Sequence, residues 1–178
     1  MLVLAIRMND AAASGLGVSA GLDVALPEAM SPGLQRIVDG GIELQGDVVV
    51  WTDGARWAAP PPGNFPDLTG WECFVNSLPL ADVVAVRVVV DAEGEPSISE
   101  GDQVVLLRHG VALALRVCGM AAALDGPVAV RCVVAANRTN GTFRFHRVRP
   151  GQDWVLPDLD AYESEKVVVV EVHPCHID

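Results

Sequence analysis

Lysine is almost missing from this chain: of 12 basic residues only Lys166 is lysine, against 23 acidic residues, for a net charge of −11. The other basic residues are all arginine, which reads as the coding bias of a GC-rich genome and not as chemistry. A field of that sign repels phosphate backbones and anionic bilayers, so neither a nucleic acid nor a membrane is expected as a partner. No run of about 18 uncharged apolar residues is present, so no transmembrane helix is expected. Met1–Arg7 is apolar but lacks a basic start, which argues against an export signal and for a cytoplasmic location. The 4 cysteines, Cys73, Cys118, Cys132 and Cys175, form no C-x-x-C, so reduced thiols are the default.

Chemical motifs are equally scarce. Gly15-Leu-Gly17 lacks the third glycine and the following helix of a phosphate-binding loop. There is no G-x-S-x-G and no H-E-x-x-H. No cofactor is expected. The densest set of metal-type ligands is the tail Glu171, His173, Cys175 and His176, but it offers no second pair at zinc spacing, and a solvated tail without metal is expected.

What the chain does have is core. At 178 residues and 51% hydrophobic, rich in Val, Ala and Leu, it suits one globular domain over 1–178 without disulfides or metal. Leu2–Ile6 reads as a strand and 9–25 as a loop. Ser31-Pro32 is a helix start, and Gly40-Gly41 its stop. Ile42–Trp51 reads as strand, broken at Gly46-Asp47. Trp71–Val75 and Val83–Val90 read as strands, the second buried.

The stretch 99–126 decides the fold class. Ser99 stands three residues before Asp102, a capping-box variant, and Asp125-Gly126-Pro127 is a stop. Helical periodicity gathers Leu106, Leu107, Val111, Leu113, Ala114, Val117, Cys118, Ala121 and Leu124 on one face, with Arg108, His109, Arg116 and Gly119 opposite. A helix over about 100–124 follows. Pro127–Ala135 and Thr142–Val148 are expected to form a hairpin across Asn137–Gly141, and Lys166–His173 a last strand. The expected fold is α+β: a mainly antiparallel sheet carrying one long amphipathic helix and a shorter helix over about 32–39.

Three places are candidates for function. The Pro- and Gly-rich stretch 52–70 carries Trp57, Phe65, Asp53 and Asp67, and its aromatics either anchor a partner or fold back as a lid. Strand Phe143–Arg149 alternates phenylalanine with Arg144 and His146. With Arg131 and Arg138 across the hairpin it makes the most basic patch, suited to an anionic ligand or to pairing with Asp153, Asp158 or Asp160. A Cys132–His146 nucleophile–base pair depends on a hairpin register that sequence leaves open. The leading expectation is a non-enzymatic acidic domain that binds a protein partner of basic character, in the manner of an inhibitor or immunity protein. The alternative is a small enzyme or anionic-ligand binder at Arg131, Arg144 and His146.

Overall fold

The computed structural model describes residues 2–18, 24–54 and 59–174. The fold is α+β and mainly antiparallel. Five strands form the principal sheet in the order β1 (Leu2–Met8), β9 (Lys166–Pro174), β7 (Val130–Ala136), β8 (Gly141–Arg147) and β4 (Leu78–Pro79). Two small hairpins stand apart: β2 (Ile42–Gln45) with β3 (Val48–Trp51), and β5 (Val88–Val90) with β6 (Pro96–Ile98). Between β2 and β3, Gly46 turns the chain at φ 60°, a conformation that costs glycine nothing.

The long helix α4 (Glu100–Ala122) lies on β7, β8 and β9. Ser99 caps it: its Oγ accepts from Asp102 N at 3.1 Å, and Glu100 and Asp102 sit in the first turn, where the helix dipole favours them. Eight of the nine residues assigned to its apolar face are buried, against the inward side chains Val130, Cys132, Val134, Phe143, Phe145, Val168 and Val170; the ninth, Leu124, is half-buried and lies beyond the helix, which ends at Ala122 and not at 124. Gly110 faces β7, where a Cβ would overlap Val134 Cγ1. The glycine that weakens the helix therefore sets its distance from the sheet. By length and apolarity alone α4 is long enough to cross a bilayer; here its apolar face is taken up by the sheet.

Helix α2 (Pro32–Gly40) starts as expected, with Ser31 Oγ accepting from Leu34 N, and contacts α4. Other expectations need correction. Part of the stretch read as loop over 9–25 is α1 (Asp10–Leu16), capped by Asn9, whose Oδ1 accepts from Ala12 N at 3.0 Å. Trp71–Val75 is not a strand but the end of α3 (Leu68–Val75), capped by Asp67. Val83–Val90 is not a buried strand: only Val88–Val90 is extended, and these valines are 42–62% exposed.

Helix α3 joins the small hairpin to the sheet. Two of its side chains, one turn apart, act as a spacer between β3 and β8. Glu72 accepts from Val49 N at 2.7 Å and Arg147 N at 3.1 Å. Asn76 accepts from Trp51 N at 3.2 Å and donates to Val49 O at 2.8 Å and Phe145 O at 3.1 Å. The fit is geometric: four residues of helix rise about 6 Å, close to the roughly 6.8 Å between alternate residues of a strand.

Candidate functional site

The sheet face opposite α4 carries the polar residues. Pairing puts His146 beside Arg131 and Arg131 beside Glu171, so one row crosses β8, β7 and β9. Arg131 Nε donates to Glu171 Oε2 at 2.5 Å, and its Nη1 pairs with Asp153 from the segment 150–165. Glu171 also holds His173. Burial pushes the carboxyls of Asp153 and Glu171 up, but the Arg131 guanidinium outweighs it and both end below the ordinary range. Arg131 thus anchors the 150–165 segment to the sheet.

His146 is completely buried. Its Nδ1–H donates to Arg147 O at 2.9 Å, and its Nε2 has no hydrogen-bond partner among the described residues. Burial, aided by the nearby Arg131, lowers its pKa, so the ring is neutral at pH 7. Cys132 pairs with Phe145, not His146, and points to α4, so the register separates the proposed nucleophile from its base. Cys73, Cys118 and Cys132 are free, buried thiols, and burial raises the pKa of Cys73 and Cys132. Arg144 lies under Trp154, 5.7 Å from the ring centroid, and donates to Thr142 Oγ1 at 3.0 Å. Arg131, Arg144 and His146 do share this face, but Arg131 is ion-paired and His146 sealed.

The 52–70 stretch divides. Asp67 is a helix cap, its Oδ1 accepting from Gly70 N at 2.7 Å. Phe65 stacks on Phe74 at 5.2 Å and packs with Trp71, Val48 and Val50. Phe74 itself is 66% exposed. Trp71 donates to Ala59 O, while Trp51 packs on Phe145 at 5.0 Å. Asp53 is exposed and, with Arg36, Ile37, Trp51 and Leu78, lines a cavity of about 450 Å³. Trp57 lies outside the described residues. So do Cys175 and His176. Among the described residues no three His, Cys, Asp or Glu side chains are grouped to hold a metal.

The surface that sequence reading passed over is the segment 150–165. It crosses the outer face of the sheet with Val155 and Leu159 buried on Val133, Val167 and Val169. Its backbone is pinned by its own side chains and neighbours: Leu156 N donates to the Tyr162 hydroxyl, Asp160 N to Asp158, and Asn9 Nδ2 to Glu165 O. Asp153, Asp158, Asp160, Glu163 and Glu165 lie along it, with no lysine or arginine between them. Trp154 and Leu156 stand out of it, 42% and 51% exposed. Gln152 accepts from Thr69 Oγ1 at 3.0 Å, which ties the segment to α3. The sequence signal was present in a tryptophan and a leucine flanked by acids; polarity alone concealed it.

Comparison with family models, with curated proteins and with solved structures found no match to this chain.

Proposed function

We propose that this is a non-enzymatic domain that binds a basic protein, with the 150–165 segment as its main contact and the Phe65–Phe74 pair beside it. One observation carries the reading. The segment combines five carboxylates, of which Asp153 alone is ion-paired among the described residues, to Arg131, and two apolar side chains held half out of the surface. Charge of one sign steers an oppositely charged partner and speeds encounter, while a desolvated aromatic supplies lasting affinity. Trp154 meets the second need: the Arg144 beneath it favours its ring position, which reduces the conformational freedom lost on binding. The segment is irregular yet anchored, as a preorganised recognition loop requires.

The alternative, catalysis or anion binding at Arg131, Arg144 and His146, finds less support. Arg131 already carries two carboxylates, and His146 has no exposed surface. The test is affinity capture of a partner on the wild-type chain and on a Trp154→Ala, Leu156→Ala double variant, then titration of the captured protein at low and high salt. The reading requires a basic partner whose binding weakens with salt and with the double variant. Binding indifferent to both would refute it.

A further inference from the structure

We propose that the free edge of β1 pairs with the β1 edge of a second copy, antiparallel across a twofold axis at Ala5, joining two sheets into one.

The parity of the ladder defines what the edge offers. Among the described residues β1 pairs only with β9, in the register Met8↔Val168 through Leu2↔Pro174. One residue further on, Asn9 N donates to Val167 O at 3.1 Å, so 9↔167 is a hydrogen-bonded position. Bonded positions alternate in an antiparallel ladder, so Arg7, Ala5 and Val3 bond inward to β9. The backbone groups of Leu2, Leu4, Ile6 and Met8 therefore face away from the sheet, along an edge of seven residues. The opposite edge is closed, because β4 is two residues long, ends in Pro79 and turns directly into a 3₁₀ turn.

Exposed edges are normally blunted by proline, lysine, bulges or shortness. β1 has none of these: its register with β9 is unbroken, its one charge is Arg7, and Val3 and Leu4 are 47% and 46% exposed.

Charge selects a second copy as the occupant. A chain carrying −11 repels itself over most of its surface, and β1 contains no acid. The axis at Ala5 matches the outward positions, setting Leu4 opposite Ile6 and Leu2 opposite Met8 of the other copy. On the other face Arg7 falls opposite Val3 of that copy. Val3 is the strand neighbour of His173 and Ala5 that of Glu171, so each Arg7 approaches the partner's Glu171–His173 pair. The contact is one strand wide, which places it among weak, concentration-dependent interfaces.

Sedimentation velocity from about 1 to 200 μM, the range that suits such an interface, reads the state directly. The wild-type chain should shift from monomer to a species of doubled mass, and more so as salt screens the like charges. Leu4→Lys should remain monomeric throughout with unchanged circular dichroism. Leu4→Pro should do the same, because the amide it removes faces solvent and not β9; if that variant fails to fold, Leu4→Lys carries the test. A wild type that is monomeric at every concentration would overturn the proposal. So would a dimer that survives Leu4→Lys, or growth beyond the dimer, which a twofold contact forbids.

Discussion

Arg149 grips Glu72 with both ends of its fork, Nη1 to Oε2 at 2.5 Å and Nη2 to Oε1 at 3.1 Å, and the carboxylate it grips has no exposed surface. The same carboxylate accepts the Val49 and Arg147 amides, so one side chain fastens α3, β3 and the end of β8. Burial pushes the Glu72 pKa up, and its hydrogen bonds, that to Arg149 first, pull it back only in part. Ion pairs of this kind add little over an apolar pair, but breaking one leaves a buried charge alone.

Glu72→Gln is therefore expected to destabilise the fold by about 3 kcal/mol or more. The amide cannot accept at both ends, and Arg149 loses its counter-charge. Urea unfolding followed by circular dichroism measures the change. A loss near zero would show that the pair is dispensable.

Two glycines of α4 should respond with opposite signs. Gly110→Ala drives a methyl into Val134 and should cost about 1–3 kcal/mol, although alanine is the better helix former. Gly119 is exposed and has open space around its Cβ position, so Gly119→Ala should gain up to about 1 kcal/mol. Thermal melts of the two variants side by side check both.

That contrast shows where sequence was legible. α4 announced itself through Ser99, Asp102 and a periodic apolar face, signals local to the helix. Gly110, a poor helix former, argues locally against it, because its purpose lies on β7, far away in sequence. Trp71-Glu72-Cys73-Phe74-Val75 reads as a strand because it is short, apolar and aromatic; the cap of α3, Asp67, lies inside a proline-rich stretch that reads as loop. The valines of 83–90 signal extended backbone but not what covers it: Val84 is buried in the core, whereas Val88–Val90 stand exposed. The polar row was visible only in part. Arg131, Arg144 and His146 follow from alternation along strands and the hairpin, and Asp153 is among the partners that sequence offers for them, whereas Glu171 depends on the register of β7 with β9.

Acid should weaken the fold in two stages. Burial depresses the pKa of His146, so the unfolded chain binds a proton that the folded chain resists. Its contribution is complete above the unfolded value of about 6.5 and is lost as pH falls below it. Asp153 and Glu171, held low by Arg131, keep their contribution until pH falls below the ordinary carboxylate range of about 4. Stability measured from pH 8 to pH 5 should decline for the wild type. The slope should flatten in His146→Gln, which cannot titrate there. An equal slope in both would exclude His146 as the source.

The last prediction separates recognition from packing among the exposed aromatics. Trp154 is 42% exposed and its ring lies over Arg144, a contact worth about 0.5–1 kcal/mol at an exposed site. Phe65 is stacked on Phe74 and packed with Trp71, so it belongs to a small core. Trp154→Ala should therefore leave the melting temperature nearly unchanged and cost about 2 kcal/mol or more in binding a basic partner. Phe65→Ala should lower stability first and binding only as a consequence. Raising the salt concentration should slow association for the wild type and for Trp154→Ala alike, because steering depends on Asp158, Asp160 and Glu163 and not on the ring. Dissociation should quicken in Trp154→Ala alone, because a desolvated anchor acts on the lifetime of the complex. Surface plasmon resonance at two salt concentrations, paired with melting curves, reads all of these. A Trp154→Ala variant that melts several degrees lower yet binds as tightly would make the tryptophan a structural cover and remove the anchor on which the binding proposal depends.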